Sequence, residues 1–112
     1  MKTTRKCIAT VTAAIVLAGI TLLSVPAQAQ TGGEALYKAK CVACHGADGK
    51  GETKLGIANK VRDLGSADVQ SQSDEAIAGL IGNGKAKMPA YGKSLKAEQI
   101  KDLVAYIRGL KK

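Results

Sequence analysis

Cys41-Val42-Ala43-Cys44-His45 constrains this 112-residue chain more than any other stretch. Two thiols stand three positions apart, and an imidazole directly follows the second. That spacing lets both sulfurs reach the two vinyl groups of one haem while the histidine turns under the ring to meet iron, which is the c-type attachment signature. Two other readings use the same residues. A Cys41 to Cys44 disulfide, structural or thioredoxin-like, would leave His45 a bystander. A redox-active pair of that kind follows a strand within a strand-helix-strand pattern, however, and no convincing strand precedes Cys41. Zinc needs four ligands, and beyond residue 29 the chain offers only Cys41, Cys44 and His45 as thiol or imidazole donors. Since a five-residue match also arises by accident, a second axial ligand is needed to decide.

The chain opens with a basic start at Lys2, Arg5 and Lys6, then an uncharged apolar run from Ile8 to Val25, then Pro26-Ala27-Gln28-Ala29. This is the layout of an export signal, with small residues spaced for signal peptidase, and it predicts cleavage after Ala29. The run is 18 residues long, enough for an uncleaved anchor. Its alanines and threonines and its Ala-Gln-Ala end favour cleavage. Cys7 precedes the run, where it cannot become a lipid-modified cysteine, and is discarded with it. Residues 1–29 are thus read as a signal peptide and 30–112 as one domain in the periplasm, or in the thylakoid lumen if the source is photosynthetic.

Three of the chain's 17 Lys and Arg leave with the signal, so 14 face 9 Asp and Glu and the formal charge falls from +8 to +5. A domain of that size buries a modest fraction of its surface and needs added apolar mass. The sequence has no Trp and no Phe, only Tyr37, Tyr91 and Tyr106. A covalently held porphyrin would make up the deficit. The basic charge does not point to nucleic acid, because no recognition motif accompanies it.

Gly33 to Lys40 reads as a helix running into the cysteines, with Glu34 near its start. Gly33 and Tyr37 share a face, where a missing side chain would admit another helix, unless Gly33 simply belongs to a flexible start. After His45, Gly46, Gly49, Gly51 and Gly56 mark loop rather than helix. Between Ile57 and Gln72, Val61 and Leu64 could face the haem, Arg62 could meet a propionate, and a short helix covers Ala67 to Ser71. Arg62 is equally an ordinary solvated side chain and is not taken as a site residue. Ser73 is an N-cap ahead of Asp74 and Glu75, with Ile77, Leu80 and Ile81 at helical spacing, and Gly82-Asn83-Gly84 ends that helix. Lys85 to Gly92 has no apolar period and reads as extended loop. The last helix runs from about Ala97 to Gly109 with Ile100, Leu103, Val104 and Ile107 on one face.

Met88 is the one methionine left after the signal is removed. A methionine is usually an adaptable core filler. Pro89 pushes Met88 toward extended backbone, so it is no member of a buried helical stripe. A thioether on a loop, after a histidine ligand earlier in the chain, is what a six-coordinate His/Met haem requires.

From Gly33 to Leu110 the chain resembles a class I monohaem cytochrome c. The resemblance rests on the Gly33/Tyr37 face, Cys41-Val42-Ala43-Cys44-His45-Gly46, Asn83-Gly84-Lys85, Met88-Pro89-Ala90-Tyr91, and a terminal helix with Leu103 and Tyr106. Among subgroups it is most similar to the short bacterial and photosynthetic lumenal carriers. It implies an all-α cytochrome c fold, three to five helices wrapped around one covalently attached haem c, with the N- and C-terminal helices crossing at right angles and Gly33 packed at that crossing. Cys41 and Cys44 would hold the cofactor and His45 and Met88 would ligate iron. Two departures stand out. Lys96 takes the place of a Ser or Thr cap before the last helix, leaving Ser94 as an imperfect substitute. The chain after the signal has no proline but Pro89, so the carbonyl orienting His45 must come from elsewhere, expected near Lys54 to Ile57.

With both axial positions filled, iron offers no open site, and one-electron transfer remains. The expectation is a carrier rather than an enzyme, a monomer touching membrane complexes transiently. Lys85, Lys87, Lys93 and Lys96 surround the Met88 loop and would steer it toward redox proteins with an acidic docking surface, unless they serve solubility alone. The rival functions are a haem enzyme or gas binder with labile Met88, and a haem subunit of a larger oxidoreductase. The first lacks a second histidine to act as distal base.

Overall fold

The structure is a computed structural model and describes residues 28–112. The expected signal lies outside them except for Gln28 and Ala29, which open the first helix. Six helical segments follow: α1 Gln28–Lys40, α2 Val42–His45, α3 Lys54–Ala58, α4 Ala67–Gln70, α5 Asp74–Asn83 and α6 Ala97–Arg108. Three are single turns, so the tally exceeds the three to five helices expected, while the all-α class holds. Among the described residues no helix is long and apolar enough to cross a membrane.

Helices α5 and α6 start for local reasons. Ser73 Oγ accepts the Ala76 N–H at 3.1 Å, Asp74 and Glu75 fill the first turn of α5, and Gly84 ends it at φ 71°. The cap satisfies an orphan donor, and the carboxylates complement the helix dipole. At α6 the side chain of Lys96 gives no cap, but Gln99 Oε1 accepts the Lys96 N–H at 2.9 Å, half of a capping box. Ser94 does not substitute. Its hydroxyl is turned back onto the Tyr91 carbonyl at 3.3 Å.

Packing centres on α6. Leu103, Val104 and Ile107 are buried against Tyr37 of α1 and Ile77 and Ile81 of α5, with Leu95 closing the cluster. Fully burying a side chain of this kind stabilises by about 1.5–3 kcal/mol. Tyr37 and Tyr106 pack with ring centroids 4.9 Å apart. Where α1 meets α6, a Cβ at Gly33 would run into the Asp102 carbonyl, which settles Gly33 as a packing residue. The far end of α6 is tied down by Arg108, whose guanidinium donates to Asp74 and to the carbonyls of Gln70 and Gln72.

Candidate functional site

The cysteine pair sits at the exit of α1. The Cys41 N–H still donates to the Tyr37 carbonyl at 2.8 Å, and the His45 N–H donates to the Cys41 carbonyl at 2.9 Å, closing the single turn of α2. Gly46 ends the turn at φ 77°, a left-handed conformation that suits glycine. Cys41 and Cys44 are free thiols, both half-buried. Burial pushes the Cys41 thiol up to about 11, opposed by the Lys40 charge, so it is held as a neutral thiol. This is the reverse of the depressed thiolate that dithiol exchange exploits. Burial also lowers the proton affinity of His45, which keeps the imidazole neutral and able to donate a lone pair.

α3 was not foreseen within the glycine-rich stretch, and it forms for local reasons. Thr53 Oγ1 accepts the Gly56 N–H at 2.9 Å and donates toward the carbonyls of Ala43 and Cys44 at 2.8 and 3.0 Å. Gly56 is what lets α3 lie on α2: a Cβ there would overlap the carbonyl oxygens of Gly51 and Cys44. The carbonyls from Lys54 to Ile57 do not meet His45. Its Nδ1 is buried without a hydrogen-bond partner among the described residues.

Met88 arrives on a loop stitched to the end of α5. Lys85 and Met88 exchange N–H to carbonyl hydrogen bonds of 3.2 and 2.9 Å, while Tyr91 and Gly92 donate to Ile81 and Gly82 at 3.0 and 2.9 Å. Gly84 faces the backbone of Met88, Pro89 and Ala90, leaving no room for a side chain. Tyr91 reaches back across the molecule to the Lys40 carbonyl at 3.2 Å. The loop is therefore tied both to α5 and to the end of α1.

Cys41, Cys44, His45 and Met88 all line one cavity of about 380 Å³. Its apolar wall includes Val61, Leu64, Ile77, Leu80, Ile81, Leu103 and Ile107. Two thiols, a neutral imidazole and a thioether opening on one apolar space form a donor set that fits a covalently held haem. The collar is cationic. Lys40, Lys60, Arg62, Lys85 and Lys87 line it, and among the described residues no Asp or Glu does. Lys93 and Lys96 are exposed and stand outside this lining. Arg62 is exposed and paired with Asp68 at 3.0 Å.

Residues 28–107 match the family described as "Cytochrome C oxidase, cbb3-type, subunit III". Cytochrome c6 of Nostoc sp. is 39% identical over 85% of this chain and 88% of its own length. Cytochrome c6 of Rippkaea orientalis is 38% identical over 67% of this chain, which spans 65% of that relative. Among solved structures, a c-type cytochrome designated KustC0563 superposes with TM-score 0.67 at 38% identity, covering 71% of this chain and 98% of its own.

Proposed function

The chain belongs to the class I monohaem cytochromes c, electron carriers that hold one haem c covalently, and on that premise we propose that Cys41 and Cys44 anchor the cofactor and that His45 and Met88 are its axial ligands. The observation that carries this reading is the shared cavity, which joins a motif at 41–45 to a methionine 43 residues further on. When bound, the haem supplies reversible one-electron chemistry between ferrous and ferric iron. His45 provides a strong neutral donor. Met88 would provide a weak one that suits the ferrous state, and the hydrogen bonds that tie its loop to α5 would hold the thioether in place. The apolar wall excludes water and disfavours the extra ferric charge.

The optical spectrum of the pure protein, oxidised and reduced, with and without carbon monoxide, tests this. A methionine-to-ferric charge-transfer band and no carbon monoxide binding are expected. Met88→Ala should lose the band and bind carbon monoxide. Ready binding by the unaltered protein would defeat the closed-site reading.

The remaining assignments follow from the same reading. Residues 1–29 act as a cleaved signal and residues 30–112 work as a monomer in the periplasm, or the lumen of a photosynthetic source. The cationic collar fits a redox partner with an acidic docking surface, and Leu55 and Ile57 of α3, exposed beside Lys54 and Lys60, add an apolar contact to it. The match to a family described as an oxidase subunit supports a second reading, a haem subunit of a larger oxidoreductase. Stable copurification with a membrane oxidase would favour the second, and a freely dissociating protein the first.

A further inference from the structure

Tyr37 is fully buried, and a phenylalanine would fill its place in the core without a polar atom to satisfy. Burying a hydroxyl costs free energy unless it is hydrogen-bonded. The Tyr37 hydroxyl donates to the Gly46 carbonyl at 2.7 Å, nine residues along the chain and directly after His45. It is one of a set. Thr53 Oγ1 faces the carbonyls of Ala43 and Cys44 at 2.8 and 3.0 Å, and the Gly51 N–H donates to the His45 carbonyl at 2.8 Å. Four successive carbonyls, from 43 to 46, are thus held by donors outside the α2 turn.

The imidazole itself has no such support: His45 Nδ1 is buried and, among the described residues, has no hydrogen-bond partner. Metal-ligating histidines are ordinarily oriented by donating their second nitrogen to a partner. We propose that Tyr37, acting with Thr53, is a positioning residue that orients His45 through its main chain, in place of a hydrogen bond to the ring. This rests on the reading of His45 as an iron ligand. Tyr37 lines the cavity with His45, and its hydroxyl is engaged by the Gly46 carbonyl. The hydroxyl holds the Gly46–Ala47 peptide, one residue beyond the ligand, while Thr53 holds the Cys44 carbonyl, whose peptide ends on the His45 Cα.

The test uses the holoprotein. Tyr37→Phe removes only the hydroxyl, and Tyr106→Phe is its control, since Tyr106 packs against the same ring and stands outside the cavity lining. The readouts are the electron paramagnetic resonance g-values of the ferric protein, the spread of its haem-methyl proton resonances, and the reduction potential. Tyr37→Phe should shift all three relative to wild type while Tyr106→Phe leaves them in place. Thr53→Val should shift the same signals, and Thr53→Ser, which keeps the hydroxyl, should restore them. Spectra of Tyr37→Phe and Thr53→Val that superimpose on wild type would overturn the proposal, leaving both residues a role in stability alone. If Tyr37→Phe does not accumulate as holoprotein, the Thr53 pair decides on the same criteria. A wild-type spectrum without low-spin histidine ligation would instead defeat the underlying site reading.

Discussion

Gly33 of α1 lies directly against the Asp102 carbonyl of α6, with no side-chain carbon between the two helices. The Tyr106 Cβ stands 3.3 Å from where a Gly33 Cβ would be, so neither backbone nor side chain can yield. Gly33→Val should therefore part α1 from α6 and strain the burial of Tyr37 and Leu103. Overpacking of this kind costs about 1–3 kcal/mol. The denaturation midpoint of the holoprotein should fall by several degrees, at about 4–8 °C per kcal/mol for a domain of this size. An unchanged midpoint would mean that the contact is not decisive.

The Met88 loop carries a mismatch between residue and conformation. Ala86 has φ 52°, a left-handed value that favours glycine, while two positions earlier Gly84 at φ 71° is where a Cβ would meet the Met88 carbonyl at 2.6 Å. Opposite substitutions should thus have opposite effects. Ala86→Gly relieves a left-handed alanine, worth roughly 1–2 kcal/mol before the added flexibility of glycine in the unfolded chain is subtracted. Gly84→Ala should destabilise and weaken the Met88 to iron bond, seen as loss of the charge-transfer band at lower denaturant. If the two variants move in the same direction, loop strain is not what governs this segment.

What was legible in the sequence depended on how local its cause was. Ser73, Asp74 and Glu75 announce the start of α5 and Gly84 its end, because capping and dipole effects act within one turn. Pro89 exposed Met88 as a loop residue for the same reason. Gly33 could be paired with Tyr37 only as a face; its contact with Asp102 depends on a helix some seventy residues away. α3 stayed hidden because four glycines speak for loop, whereas Gly56 is there to let two helical turns touch. The partners of the Tyr37 and Thr53 hydroxyls, like the unpartnered nitrogen of His45, arise from tertiary packing and have no sequence signal.

The lysines at the cavity mouth give a kinetic prediction. Lys85 and Lys87 are exposed, line the cavity beside Met88, and have no acid in the lining to offset them. Converting both to Glu changes the local charge by four without touching the core. Electron exchange with an acidic redox partner should slow by an order of magnitude or more at low salt, since steering can alter association by 10- to 1000-fold. The difference should shrink as salt is added, because a Debye length is about 10 Å at 0.1 M. Rates insensitive to both charge and salt would confine these lysines to solubility.

Tyr37 also leaves a mark on the pH dependence of stability. Burial first, and then the nearby Cys41, Tyr106 and Asp48, raise its phenol well above the ordinary tyrosine range. In the holoprotein Cys41 is a thioether by the proposed attachment, and burial remains the leading cause. The folded state therefore holds the phenolic proton more tightly than the unfolded chain. Below pH 10 both states keep it and the full contribution is present. Above pH 10 the unfolded chain releases it while the fold retains it, so stability falls as pH rises toward the folded value. Tyr37→Phe should start lower at pH 8, by about 1 kcal/mol for the lost hydrogen bond. Its decline between pH 9 and 11 should nevertheless be shallower than that of wild type. Urea midpoints of both holoproteins across that range are the measurement, and two parallel curves would show that ionisation of Tyr37 is not coupled to folding.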